Sequence, residues 1–390
     1  MVIRVAYVTT YDVLDNSRWF KNQVGLCGAA YYLEKTLKNQ SIVLDYIGPL
    51  KEKYTSITKF KGKCYHKFFK KVYQPWAEPL VLRKYASEIY RKLSSSNSDV
   101  VLCPENAVPI AYLKCKQPIV LWTDAPLAAA INFYPSFSNF CNETKRSIYA
   151  LEKSALDRCK LVIFWSDWAA EVAVKTYGIA PSKIKVVPSG PNIECNRTNE
   201  DVNSIVESRV TTPCKLLFIG VEWFRKGGDI ALEVAKELNK RGLPTELLVV
   251  GCQPITSEPL PSFVKVIGFV DKYTDEGLNK INKLFSESHF LILPSRAEAY
   301  GLVLVEANSF GLPCIATNVG GIPTIIKDGL NGKTFSMNAS ISEYCTYITE
   351  VMANYSEYKR LARSSFNEYQ SRLNWSTAGE TAKRLIMELV

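Results

Sequence analysis

Histidine is almost missing from this chain: His66 and His289 are the only two in 390 residues. A His-based metal site and Ser-His-Asp nucleophilic catalysis are thereby close to excluded. The 11 cysteines form no C-x-x-C pair, are odd in number and are scattered from Cys27 to Cys345. Many sit in apolar runs (Cys103, Cys252, Cys314), where the residue acts as a small buried hydrophobe. Neither a disulfide framework nor a zinc ribbon is expected, and the compartment reads as reducing, hence cytoplasmic. No apolar run approaches the roughly 18 residues that a spanning helix needs. The N-terminus, Met1–Val8, reads as a first buried strand rather than a signal peptide.

What is present suits a conventional globular chain: 47% hydrophobic residues, 22% charged, 20 Gly and 19 Pro. That composition argues against a disordered or collagen-like chain. The formal net charge of +10 is unevenly placed. Residues 1–190 carry 27 Lys+Arg against 15 Asp+Glu, whereas residues 191–390 carry 21 against 23. The positive excess lies entirely in the first half, which implies different partners for the two halves.

Short β-branched runs alternate with helical stretches throughout, the pattern of parallel sheets covered by helices. Strands are expected at Ile3–Val8, Ile42–Ile47, Val100–Cys103, Ile119–Trp122, Leu161–Phe164 and Ile184–Val187. A helix over Asp167–Tyr177 has Ser166 placed to cap it and Gly178 to end it. The polar stretch Pro191–Pro213 reads as a linker. The alternation restarts at Leu216–Ile219, Leu247–Val250, Val264–Ile267, His289–Leu293 and Cys314–Thr317. The expected organisation is a Rossmann-like domain over 1–190, a linker over 191–213, a second such domain over 214–370, and a C-terminal helix over 371–390. Doubly wound α/β domains bind ligands beyond the carboxyl ends of their strands, so a cleft between the domains is the expected site.

The most informative stretch runs from Leu291 to Glu306. A buried strand enters a loop at Pro294, and Gly301 opens a helix whose first amides, at Gly301, Leu302 and Val303, favour a phosphate. Glu298 and Glu306 flank that turn. Two carboxylates there suit a nucleotide-sugar, one on sugar hydroxyls and one on ribose, because they accept charge-assisted hydrogen bonds. On spacing alone, two solvated glutamates near a helix start remain an equal reading. Upstream, Arg225 and Lys226 precede a Gly-Gly helix start, where Arg grips phosphate bidentately and Lys adds a point charge. Gly251, with Gly268-Phe269-Val270, offers a shelf for a base.

These segments, in order, make residues 215–335 resemble the second domain of retaining glycosyltransferases of the GT-B fold, the large family four. The resemblance rests on Phe218-Ile-Gly, Arg225-Lys-Gly-Gly, Glu246-Leu-Leu-Val-Val-Gly251, the Glu298/Glu306 pair and Gly311–Pro323 followed by Asp328-Gly-Leu-Asn-Gly332. The first half is similar more loosely, through Gly28–Leu33, Trp122-Thr-Asp-Ala-Pro126, Ser166–Ala170 and Val186–Gly190. The resemblance implies that Arg225 and Lys226 hold a donor pyrophosphate and Glu306 the ribose. Glu298 with the backbone of Ala299, Tyr300, Gly301, Leu302 and Val303 would hold the transferred sugar and phosphates. Gly28, at a helix start, would let its backbone approach the donor phosphate. Front-face transfer with retention is implied, without metal or cofactor. Two departures stand out. Val221-Glu222 occupies the place where relatives carry an Arg, so Arg225 would have to cover that contact. Thr123-Asp124 stands where many carry a His; Asp124 would orient a sugar or acceptor hydroxyl, or cap the next helix.

Residues 51–73 hold eight lysines and one acid, Glu52, interleaved with Tyr54, Phe60, Tyr65, Phe68, Phe69 and Tyr73. That composition suits an anionic membrane surface, an anionic acceptor or a nucleic acid, and a charge run can equally be a solvated face; membrane or lipid-linked acceptor contact through Lys51–Lys71 is the favoured reading. The expected partners are thus a UDP- or GDP-sugar, a glycan or lipid-linked acceptor and the inner face of a membrane, with no nucleic acid. A nucleotide-sugar epimerase on the same fold, or a non-catalytic basic adaptor, are the competing readings.

Overall fold

The computed structural model describes residues 2–19, 24–51 and 56–390. Its contacts divide the chain into two units, 1–189 with 375–390, and 190–374.

The first unit starts with β1 (Arg4–Val8), α1 (Val24–Asn39), β2 (Val43–Ile47), α2 (Ser56–Phe69), α3 (Pro79–Leu93) and β3 (Val100–Cys103). It continues through β4 (Ile119–Thr123), α4 (Leu127–Ala130), α5 (Asn142–Arg158), β5 (Cys159–Phe164), α6 (Asp167–Tyr177) and β6 (Ile184–Val186). The six strands make one parallel sheet in the order β2-β1-β3-β4-β5-β6. β3 and β4 are buried along their whole length, as expected of strands covered on both faces. The caps of α6 follow the local chemistry: Ser166 Oγ accepts from the Ala169 amide at 3.2 Å, and Gly178 ends the helix at φ 62°.

The second unit opens with α7 (Asn199–Ser208), β7 (Cys214–Ile219), α8 (Gly228–Lys240), β8 (Thr245–Val250), β9 (Val264–Gly268) and α9 (Asp275–Glu287). β10 (Phe290–Leu293), α10 (Leu302–Asn308), β11 (Cys314–Thr317), α11 (Ile322–Ile325), β12 (Gly332–Phe335), α12 (Ile341–Ala353) and α13 (Tyr355–Arg372) follow. Its parallel sheet runs β12-β11-β10-β7-β8-β9. The final helix, α14 (Trp375–Met387), returns to the first unit and packs on α1. A Cβ on Gly379 would stand 2.3 Å from Thr36 Cγ2, so this glycine sets how closely the two helices approach.

The stretch 191–213 is not an extended linker. It holds α7, closed at its start by a capping box between Thr198 and Asp201, with Val202 and Val206 buried. Beyond it the buried Arg209 guanidinium donates to the carbonyls of Gly311 and Phe310 at 2.7 and 2.9 Å and to Tyr358 Oη at 2.9 Å. The segment looks polar because much of its outer face is solvated while a few residues carry the packing. β12 also has no expected counterpart; its Gly-Lys-Thr-Phe sequence is short and follows a turn. In the basic segment, residues 52–55, including Lys53 and Tyr54, lie outside the described residues, as does Met1.

Candidate functional site

In each sheet the direction of winding reverses once, between β1 and β3 in the first and between β7 and β10 in the second. Such switch points open a crevice at the carboxyl ends of the flanking strands, where ligands of α/β sheets bind. In the second unit the two loops at that crevice are those singled out by sequence: the turn after β7, bearing Arg225 and Lys226, and the loop after β10, bearing Glu298.

The two loops are held together by backbone as well as side chains. Gly227 has φ 76°, and a Cβ there would lie 2.1 Å from the Pro294 carbonyl oxygen, so only glycine allows this approach. The Arg296 amide donates to the Arg225 carbonyl at 2.8 Å. The Arg296 guanidinium grips Asp229, in the first turn of α8, through two bonds of 2.8 and 2.7 Å. Within this frame Lys226 Nζ donates to Glu298 Oε2, and Arg225 Nη1 lies 3.9 Å from the same oxygen. Arg225 also donates to the Ala297 carbonyl at 3.0 Å and pairs through Nε with Glu222. Glu222, at the place where an Arg is expected by resemblance, therefore buttresses Arg225.

Glu306, on α10, is 3% exposed; Lys272 Nζ donates to its Oε1, and the Asn192 amide lies 3.3 Å from the same atom. Lys272 and Asn192 were not anticipated. They are 34 and 114 residues from Glu306 in sequence, and no local pattern marks them. Ala299, Tyr300 and Gly301 are buried, with Gly301 capping α10 at φ 104°; Leu302 and Val303 stand in its first turn. Gly251, at φ 97°, would place a Cβ 2.7 Å from the Gly220 carbonyl oxygen, and its amide donates to the Gly268 carbonyl at 2.9 Å. Val270 is half-buried just beyond β9.

The first unit supplies a separate polar cluster at the ends of β1, β3 and β4. Thr123 Oγ1 donates to the Glu105 carbonyl and lies 3.2 Å from Asp124 Oδ1, which accepts from the Ala125 amide at 2.7 Å. Asp124 does not cap α4. Those first-turn amides, of Leu127 and Ala128, donate to the buried Glu152 at 2.6 and 2.9 Å. Glu105, which sequence reading passed over, accepts from the Thr10 amide at 2.5 Å and from Thr10 Oγ1 at 2.8 Å. Burial pushes the Glu105 carboxyl up to about 7. Gly28 lies inside α1, more than a turn beyond Val24, so its amide belongs to the helix ladder and is not a first-turn donor. The expectation that it opens the helix fails because the apolar pattern begins earlier than the glycine.

No three His, Cys, Asp or Glu side chains converge as metal ligands among the described residues. Among the same residues no helix is long and apolar enough to cross a membrane.

Residues 201–368 match the family model described as glycosyl transferases group 1. A 41.2 kDa uncharacterized protein of the Klebsiella pneumoniae cps region is 29% identical over 199 residues, 50% of this chain and 54% of that protein. The D-inositol 3-phosphate glycosyltransferase of Acidothermus cellulolyticus is 28% identical over 182 residues, 43% of this chain and 40% of that enzyme. The chain thus spans about half the length of the curated relatives it matches, or less. Among solved structures, Anabaena HepE in complex with UDP has a TM-score of 0.66 at 15% identity, covering 99% of this chain and all of that one. The fold is that of GT-B glycosyltransferases.

Proposed function

We propose, from the match of residues 201–368 to the glycosyl transferases group 1 family model, that the chain moves a sugar from a nucleotide-diphosphate donor to a hydroxyl acceptor. The observation that carries the reading is the pairing of Lys226 and Arg225 with Glu298 at the switch point of the second sheet. Two cations and one carboxylate on adjoining, backbone-locked loops fit a diphosphate next to a sugar.

In this reading Arg225 and Lys226 hold the donor diphosphate and neutralise the charge that grows on it as the glycosidic bond breaks. Glu298, with the backbone of Ala299–Val303, accepts from the transferred sugar's hydroxyls, and Glu306 takes the ribose hydroxyls, flanked by Lys272 and Asn192. Gly251 and Val270 edge the base. Transfer proceeds on the front face with retention: the departing diphosphate oxygen receives the acceptor hydroxyl's proton, and no metal is needed because the side-chain cations carry that charge. Asp124 orients the acceptor, a growing glycan or a lipid-linked saccharide. HepE, a neighbour of the same fold, is described as a complex with UDP, which makes UDP-sugars the first donors to test and GDP-sugars the second.

A thermal-shift screen over UDP- and GDP-sugars tests the donor site, because a ligand that binds only the folded chain raises its melting temperature by mass action. One nucleotide-sugar should stabilise the wild-type chain, and Lys226→Ala should remove that shift and lower transfer by about 100-fold or more. No shift with any donor, or full turnover in Lys226→Ala, would overturn the assignment.

A further inference from the structure

Among the described residues five phenylalanines are more than half exposed, and three of them, Phe60, Phe68 and Phe69, stand on α2. The helix has three differently used faces. Thr58, Lys61, Gly62 and Tyr65 form the face turned to the rest of the unit. Thr58 is buried, Lys61 Nζ bridges Glu78 at 2.8 Å and Glu143 at 2.5 Å, and Tyr65 Oη donates to Glu143 at 2.9 Å. The Tyr65 ring stacks on Tyr73 with centroids 5.6 Å apart. These contacts fix the helix in rotation.

About 100° around the helix from that face runs a second apolar stripe, Ile57, Phe60, Cys64 and Phe68, at spacings of three, four and four residues. Ile57, Phe60 and Phe68 are 65–68% exposed. Beside it Lys59, Lys63 and Lys67 repeat every fourth residue and are all exposed. Lys67 Nζ lies 5.5 Å from the Phe68 ring centroid, and residues 56–71 contain no acid. A solvated face has no use for bulky apolar side chains on successive turns.

We propose that α2 is an interfacial helix that lays the Ile57-Phe60-Cys64-Phe68 stripe into the headgroup boundary of an anionic bilayer, with Lys59, Lys63 and Lys67 on the lipid phosphates. Charge complementarity selects this occupant: the stripe is flanked by unopposed positive charge, in the half of the chain with a surplus of 27 against 15. A two-fold contact with a second copy would bring the same lysines against one another. A nucleic acid would use the lysines but leave Ile57 without a role. The inference deepens the reading of a lipid-linked acceptor by naming the surface on which it would be met, yet it needs no turnover.

Sedimentation with phosphatidylcholine vesicles, with and without phosphatidylglycerol, tests it. Wild type should sediment with the anionic vesicles and release at high salt. Phe60→Ser with Phe68→Ser, both at exposed positions, should weaken binding at least about 10-fold. Alanine at Lys59, Lys63 and Lys67 should cost roughly 5-fold each and erase the lipid preference. Lys226→Ala should sediment like wild type while its transfer falls about 100-fold or more, which separates this inference from the donor-site reading. Equal partitioning between the two vesicle types, or a serine variant that binds like wild type, would overturn it. So would lipid-free self-association that the serine variant abolishes, or binding to duplex DNA that displaces the vesicles.

Discussion

At the scale of single residues, burial decides what each charged group can do. Glu298 and Lys226 have side chains only 10% and 13% exposed, and each is the other's ion-pair partner. Removing Glu298 leaves Lys226 without its carboxylate, and removing Lys226 leaves Glu298 with only Arg225 at 3.9 Å, so in the proposed reading a donor diphosphate has to replace the pairing rather than simply add to it. His289 shows the opposite outcome, a titratable group withdrawn from chemistry. Its Nδ1 accepts from the Lys215 amide at 2.9 Å and its Nε2–H donates to the Val210 carbonyl at 2.6 Å, which fixes a neutral tautomer. Burial first, then the neighbouring Arg209 and Lys215 charges, push its pKa down to about 4. Because the unfolded imidazole takes its proton near the ordinary value of about 6.5, this site favours the folded state fully above that pH. The contribution, on the order of 3 kcal/mol, is lost as the pH falls from about 6.5 towards 4. The His289 ring protons should therefore keep the neutral-form NMR shift down to about pH 5; a midpoint near 6.5 would contradict the burial argument.

At the scale of elements, the site depends on how two strand–loop–helix units touch. The close approach of Gly227 to the Pro294 carbonyl holds the Arg225-Lys226 turn against the Glu298 loop. Gly227→Ala should cost about 2–4 kcal/mol, part from the left-handed backbone and part from the clash. Separation of the loops should weaken donor binding as well. Urea unfolding and the donor-induced thermal shift measure the two effects, and a variant as stable as wild type would show that the loops are not locked there. α7 makes a related point. Its two buried valines and the Arg209 that follows it dock a stretch whose composition reads as linker, so composition underrates a segment anchored by few residues.

At the scale of the molecule, the last helix belongs to the first unit although the second unit separates them in sequence. Gly379→Val should force α14 away from Thr36 and loosen the packing on α1. Hydrogen exchange should then quicken in α1 and the first sheet and stay unchanged in the second sheet; an effect spread evenly over both units would refute this division. The charge asymmetry also becomes more specific here. The proposed donor site uses Arg225, Lys226 and Lys272 from the half whose charges nearly cancel. In the other half, Lys59, Lys63 and Lys67 lie in a row on one helix.

Strand alternation, the caps of α6, the Gly-Gly start of α8 and the Glu298/Glu306 loop could all be read from the sequence. Each depends on neighbours within a few residues, where period, cap chemistry and glycine conformations act directly. The sequence thereby determined two parallel-sheet units and most of the side chains at the donor-site candidate. Only the tertiary structure decided which groups those side chains meet. Lys272 and Asn192 reach Glu306 across long sequence separations, Glu222 supports Arg225, Glu152 rather than Asp124 caps α4, and Gly28 lies within a helix. The three faces of α2 were likewise hidden, since the lysine–aromatic composition is the same whichever residues turn inward. Partners that are distant in sequence leave no periodic trace; they are selected by packing and by the need to satisfy buried charge.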